Sequence, residues 1–296
     1  LVEAVTIDTS ILPSIELTGT IDPRISNLWA DFSDKNGTFN LPPTGDEKKI
    51  WFLLFDLGKI INGMPMLNIE GAAGTRVSIQ SAPYLLNNTF GNTLLESDFV
   101  DKIILSGEPD NWEATYLKPA RYLGLFMENH QETVHLSSIG IRSLEYPFEQ
   151  NGTIRSDDAP WVQQYMKASA RTIKVCTTDG YTDNYRERRQ YAQTGYYAAM
   201  GNYWLFGDRA LQRRSLVQVA QEQEANGMMP AYAPAASDDY MVIVVSNCLG
   251  IRSLHDYLLS SGDYKTVSEL LPAARKLMDL LHNYTTSSGM FDDPPY

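Results

Sequence analysis

Between residues 176 and 195 the chain reads Cys176-Thr-Thr-Asp-Gly-Tyr-Thr-Asp-Asn-Tyr-Arg-Glu-Arg-Arg-Gln-Tyr-Ala-Gln-Thr-Gly195, with three acids and three arginines set among tyrosines. A carboxylate beside an arginine hydrogen-bonds sugar hydroxyls, and a second carboxyl shielded by aromatic rings keeps its proton and can donate it. Glycosidic cleavage needs that division of roles. The same composition also suits a solvated, salt-bridged loop or helix start, so the residue types alone leave both readings open.

The elements that must position this segment change character along the chain. Up to about Glu149 the apolar residues come in short runs broken by Gly, Pro, Asn and Asp, the pattern of strands and turns. Ile50–Phe55, Met66–Ile69, Val77–Ile79, Ile103–Leu105, Arg121–Met127, Val134–Leu136 and Ile139–Ile141 are the strand candidates, with Gly71-Ala-Ala-Gly74 expected to turn a hairpin. Strands at this spacing without helical periodicity predict an antiparallel β-sandwich over 1–150, jelly-roll-like.

Past Asn151 the period becomes helical. Ser156 or Asp157 could cap a helix with Trp161, Tyr165, Ser169, Thr172 and Cys176 on one face. Further helices are predicted at about 194–207, 208–225, 239–260 and 264–284, the last with Val267, Leu270, Leu271, Ala274, Leu277 and Leu281 on one side and Pro272 as a kink or start. The longer loops at about 177–193 and 226–238 are where function is expected, exposed but held by rigid helices.

The order of residues in the first of these loops resembles the signature of the α-L-rhamnosidases, glycoside hydrolase family 78, in its common form Asp-x-Tyr-x-Asp-Cys-Pro-x-Arg-Glu-x-Arg-Gln-Trp. Asp179, Tyr181, Asp183, Arg186, Glu187, Arg189 and Gln190 match, and Tyr191 stands in place of the Trp. Phe55-Asp-Leu-Gly58, Gly71–Gly74 and 101–122 look like the sandwich that precedes the family's catalytic domain. Tyr146-Pro-Phe148, Pro230-Ala-Tyr-Ala-Pro234, Gly262-Asp263 and Pro294-Pro-Tyr296 look like landmarks of its helical domain.

On that resemblance, 151–296 is the first half of an (α/α)6 toroid whose loops form a sugar pocket. Glu187 takes the general-acid position, and Asp183 and Arg186 bind rhamnose hydroxyls and order the acid. Tyr191 forms an aromatic wall, and Asp239 and Asp179 are further sugar contacts. Two departures bear on which hydroxyls are bound. Asn184-Tyr185 replaces Cys-Pro with one residue fewer, and Gln193-Thr194 stands where many members carry Gly-Asp, which removes a carboxylate.

The family inverts, so a second carboxylate ~6.5–9.5 Å from the acid must activate water. By resemblance that base is a glutamate downstream of Pro294-Pro-Tyr296, outside this chain. About five helices after Asp157, against the twelve of a toroid, make the same point. Asp238, Asp239, Glu222 and Glu224 remain local candidates. The expected function is hydrolysis of terminal α-L-rhamnosyl linkages in plant or algal polysaccharides or glycosides, with this chain alone expected to lack the base and so to be inactive. The alternatives are a catalytically silent carbohydrate-binding protein and a glycosidase for another sugar on the same scaffold.

Composition narrows the partners. A net charge of -12 without a Lys/Arg-rich run excludes collection of nucleic-acid phosphates or anionic lipid. No apolar stretch reaches the ~18 residues of a membrane span. Cys176 and Cys248 form no C-x-x-C pair and are expected as buried free thiols. His130, His135, His255 and His282 are not at ligand spacing, so no metal and no cofactor is expected.

Overall fold

The computed structural model describes residues 1–8, 14–20, 22, 24, 38–91, 99–183, 187–235 and 238–292. The chain forms two compact units, Leu1–Leu144 and Glu145–Tyr296.

The first unit is built on β1 (Glu3–Asp8), β2 (Ser14–Glu16), β3 (Phe39–Leu41), β4 (Lys49–Ile61), β5 (Gly63–Glu70), β6 (Arg76–Ala82), β7 (Thr89–Gly91), β8 (Val100–Ile104), β9 (Asp110–Glu113), β10 (Ala120–Glu128) and β11 (Val134–Ser143). A five-stranded sheet runs β1-β4-β10-β6-β8 and a four-stranded sheet runs β3-β11-β5-β9, with β2 and β7 paired separately. Every pairing is antiparallel. The expected sandwich is therefore what forms.

Its packing explains the unbroken apolar run Ile50–Phe55. Trp51, Leu53 and Phe55 point into the core between the sheets, where they meet Leu67, Ile69, Leu136 and Ile139 of the other layer. Ile50, Phe52 and Leu54 point the opposite way and are covered by Ile15 and Phe90 of the β2–β7 pair. A strand buried on both faces has no polar side to alternate with. Gly124 on β10 belongs to this second layer, because a Cβ there would stand 2.4 Å from the Phe90 ring. Any side chain would push that aromatic off the sheet.

Gly71–Gly74 does not close a hairpin. It carries the chain from β5 in one sheet to β6 in the other, and Gly74 (φ 86) donates its N–H to Leu105 O at 3.0 Å. A turn between two adjacent strands and a crossover between layers share the same Gly-rich chemistry, so the sequence does not tell them apart.

The second unit holds α1 (Trp161–Val175), α2 (Ala192–Leu205), α3 (Ala210–Gln221), α4 (Val244–Ser261) and α5 (Tyr264–Asn283). Sequence neighbours pack, and so do α2 with α4 and α3 with α5, so alternate helices stand in two layers. That is the start of an (α/α) toroid. Gly262 ends α4 in the left-handed region (φ 66), and Asp263 caps α5 by accepting from Thr266 N at 3.0 Å.

Three helical details differ from expectation. On α1, Trp161 and Tyr165 face outward at 65% and 66% exposure, and the packed row is Met166, Ala170 and Ile173. α4 begins at Val244 because the residues before it run extended, with Met241 O accepting from Ala231 N at 2.7 Å. Pro272 lies inside a continuous α5, where its ring is exposed. Both cysteines are free as expected, but only Cys176 is partly covered; Cys248 is exposed on the outward row of α4 with Val245 and Arg252.

Candidate active site

The loop between α1 and α2 is folded by its own backbone before any side chain acts. Thr177 and Tyr181 form a bridge, Thr182 N donates to Cys176 O at 2.9 Å, and Asp183 N donates to Arg189 O at 2.9 Å. Tyr181 is fully buried and donor to its hydroxyl is Asn202 of α2; burial pushes its phenol well up. Gly180 allows a close approach, since a Cβ there would lie 2.1 Å from Gln190 Oε1.

The loop is also tied to the segment before α4. Tyr191 bridges Tyr232, Ala192 N donates to Ala231 O at 2.8 Å, and Gln190 Nε2 donates to Ala233 O at 2.8 Å and to Gln218 Oε1 at 3.0 Å. Glu187 is thus held on a short, cross-linked stretch just before a helix. Arg188, next to it, takes φ 46, a left-handed conformation that a non-glycine residue adopts only where its surroundings fix it.

Around Glu187 the side chains converge. Tyr191 donates its hydroxyl to Glu187 Oε1 at 3.2 Å, and Arg189 Nε stands 3.6 Å from the same oxygen. Arg189 Nη1 donates to the Tyr191 hydroxyl at 3.4 Å, and Nη2 pairs with Asp239 Oδ2. The Arg189 guanidinium lies over the Tyr232 ring, 4.8 Å from its centroid, and Tyr232 meets Tyr191 edge to face at 5.4 Å. Tyr232 in turn donates to Asp239 O. The Tyr191 hydroxyl and then the charge of Asp239 hold Arg189 above its ordinary pKa, whereas burial raises the Tyr232 phenol, aided by Asp239.

The sequence-predicted residues therefore divide. Glu187, Tyr191 and Asp239 are joined through Arg189. Asp179 stands apart: its carboxylate meets Arg214 Nη2 at 3.1 Å, and although burial acts to raise it, Arg214 holds its pKa below the usual carboxylate range. Asp183 contributes its backbone N–H to the loop, and its charge together with burial raises the Cys176 thiol, burial being the larger effect. Arg186 lies outside the described residues, as do Asn184-Tyr185 and Pro294-Pro-Tyr296. Of the local base candidates, Glu222 accepts from Ala235 N at 2.8 Å and Asp239 is paired with Arg189.

Beside this cluster is an open cavity of about 230 Å³ lined by Asp179, Arg188, Arg189, Gln190, Arg214 and Tyr232 among others. Arg189, Tyr232, Arg214 and Gln218 complete the arrangement without having been singled out for a role. Arg189 and Tyr232 both lie inside the quoted motifs, which was the available signal; Arg214 and Gln218 sit on α3, where nothing in the sequence marks them. Among the described residues there is no group of three His, Cys, Asp or Glu side chains that could hold a metal ion.

Two family models match the chain. Residues 47–141 match the bacterial alpha-L-rhamnosidase concanavalin-like domain, and residues 149–293 match the bacterial alpha-L-rhamnosidase 6 hairpin glycosidase domain. The chain belongs to the α-L-rhamnosidase family. Solved structures of similar fold include a glycoside hydrolase family 78 rhamnosidase of Bacillus sp. GL1 (TM-score 0.77, 21% identity, covering 86% of this chain and 26% of that one). A rhamnosidase from Klebsiella oxytoca with rhamnose bound gives TM-score 0.71 at 19% identity, over 82% of this chain and 50% of that one. The α-L-rhamnosidase of Streptomyces avermitilis complexed with L-rhamnose gives 0.58 at 18%, over 84% and 25%. The chain thus spans a quarter to a half of the length of these family members. No curated protein sequence matches it. Within the family, this chain combines the Arg-Glu-x-Arg-Gln string with a tyrosine where the common signature carries Trp.

Proposed function

We propose that this chain carries the acid side of a glycoside hydrolase that cleaves terminal α-L-rhamnosyl linkages by an inverting displacement with water. Glu187 is the general acid, protonating the glycosidic oxygen as the leaving group departs. The observation that carries this reading is Glu187 itself, placed in the family string and addressed on one oxygen by both Tyr191 (3.2 Å) and Arg189 (3.6 Å). Such fixed geometry is what a positioned proton donor requires.

Asp183, Arg186, Asp179, Asp239 and Tyr191 are assigned to the sugar. The rhamnose named with the Klebsiella oxytoca and Streptomyces avermitilis proteins supports a rhamnose-containing oligosaccharide, polysaccharide or glycoside as substrate. An inverting step also needs a carboxylate ~6.5–9.5 Å from the acid; with Glu222 and Asp239 engaged as described, neither is assigned that role.

A catalytically silent carbohydrate-binding protein is the second reading, favoured by Asn184-Tyr185 in place of Cys-Pro and Gln193-Thr194 in place of Gly-Asp. The two are separated by incubating the protein with a panel of aryl glycosides while titrating free L-rhamnose. Release from the α-L-rhamnoside with inversion at the anomeric carbon supports the enzyme. Saturable rhamnose binding without release by the full-length protein supports the silent protein, and release from a different glycoside points to another sugar.

A further inference from the structure

We propose that Arg214 and Gln218 of α3 form a subsite for the leaving group, a sugar whose oxygens accept from their N–H groups. This rests on the reading of Glu187 as the general acid of a rhamnosidase, which fixes where the leaving group must lie.

The two residues are four positions apart on α3, so they stand on one face of the helix, and both line the open cavity of about 230 Å³ beside the Glu187 cluster. Each is oriented by the loop between α1 and α2. Asp179 clamps Arg214, which donates from Nη1 to its backbone O and from Nη2 to Oδ2 at 3.1 Å. These bonds use two of the five N–H donors of a guanidinium, and the side chain remains 45% exposed. Gln190 Nε2 donates to Ala233 O at 2.8 Å, and that carbonyl can only accept. The same nitrogen meets Gln218 at 3.0 Å, so the Gln218 atom there is the oxygen Oε1, and the Gln218 NH2 is not spent on this bond. One face of α3 thus brings a planar charged donor and an amide donor to the cavity. Such a pair suits the hydroxyl, ring or carboxylate oxygens of a sugar. Tyr232 and Pro234 add apolar surface to the lining.

The place of the cavity decides which sugar it takes. Asp183, Glu187, Tyr191 and Asp239 are not among its described lining residues, whereas Arg189 is, and Arg189 Nε stands 3.6 Å from Glu187 Oε1. The cavity is therefore one side chain away from the acid. A general acid faces the glycosidic oxygen, with the rhamnosyl ring on one side of that atom and the leaving group on the other. With Asp183, Tyr191 and Asp239 given to the rhamnosyl ring, this space falls to the leaving group. Asp179, which does line it, serves here by holding Arg214.

The test measures rhamnose release by the full-length protein and by its Arg214→Ala and Gln218→Ala variants. The substrates are phenyl α-L-rhamnoside, whose leaving group has no oxygen beyond the glycosidic one, and α-L-rhamnosyl disaccharides with glucose, galacturonic acid or rhamnose as the leaving sugar. The subsite requires the ratio of kcat/KM on the best disaccharide to that on phenyl rhamnoside to fall in both variants. The fall is roughly tenfold in Arg214→Ala, as for a lost hydrogen bond from a charged group, and about threefold in Gln218→Ala, as for a neutral one. An unchanged ratio in either variant overturns the pair, and equal slowing on both substrates marks the residue as a brace for the loop. Glu187→Gln, run on the same substrates, reports on the acid alone: full activity there sinks the general-acid reading, while the ratio in the α3 variants still decides the subsite. If the full-length protein releases no rhamnose at all, the hydrolytic reading fails and calorimetric titration of the same proteins decides. A disaccharide bound more tightly than methyl α-L-rhamnoside, with the difference lost in Arg214→Ala, keeps the subsite; equal binding overturns it.

Discussion

Arg189 and Asp239 are 50 residues apart in the chain and form an ion pair between the loop that carries Glu187 and the segment that leads into α4. Both side chains are substantially exposed, at 37% and 42%, so water and salt screen the pair. Its worth lies in fixing where the guanidinium points.

Replacing Asp239 by Asn is therefore expected to change stability by no more than about 1 kcal/mol. Rhamnoside hydrolysis should fall by on the order of tenfold to a hundredfold, the cost of letting a positioning group drift. Thermal melting and initial rates on the same preparation check this. A large drop in melting temperature with undiminished turnover would show the pair to be a structural brace and nothing more.

Gly180→Ala tests the floor of the site from the other direction. The new methyl would occupy the place of Gln190 Oε1, 2.1 Å from it, and displace the side chain that bonds Gln218 and Ala233. The expected cost is about 1–3 kcal/mol for those lost partners, seen in urea unfolding, together with reduced turnover. Gly180→Ala/Gln190→Ala, which lacks the same two bonds, should be no less stable than Gly180→Ala, because the second substitution removes nothing that the first has left in place.

Acid stability of the helical unit should report on Asp263. Thr266, first through its side chain and then through its backbone N–H, and Tyr257 hold this carboxyl at about 2. The folded pKa lies below the ordinary value near 3.8. The carboxylate's contribution is thus complete above that ordinary value and is lost as pH falls through about 2. Following helical circular dichroism down this range, the Asp263→Asn variant should show a flatter acid limb than the parent protein. Identical acid limbs would contradict the cap.

The sequence carried the β layer and the helix count well because both rest on burial periodicity. Ile50–Phe55 announced a strand, while its burial on both faces emerged only with the β2–β7 pair that covers it. Ala274, Leu277 and Leu281 announced the buried face of α5. Periodicity is silent on which of two rows turns inward, and so on α1 the row Trp161, Tyr165, Ser169, Thr172 and Cys176 stood out as the stripe while Met166, Ala170 and Ile173 are what packs. It is equally silent on sheet membership, which is why Gly71–Gly74 read as a hairpin.

At the site, the signature string located Glu187 and Tyr191, but the partners that orient them come from residues distant in sequence. Tyr232 and Asp239 reach Arg189 only because Ala231 and Ala233 pair with the backbone of 190–192. Contacts formed across a 40-residue separation leave no local pattern to read.

The measurement that bears most directly on the general-acid claim compares two rhamnosides, one with an alkyl and one with a dinitrophenyl leaving group, in the parent protein and in Glu187→Gln. Proton donation matters for a poor leaving group and little for a good one. The variant is expected to lose on the order of 10²–10⁴-fold on the alkyl rhamnoside and far less on the dinitrophenyl one. Equal losses on both substrates, or no loss on either, would contradict Glu187 as the general acid.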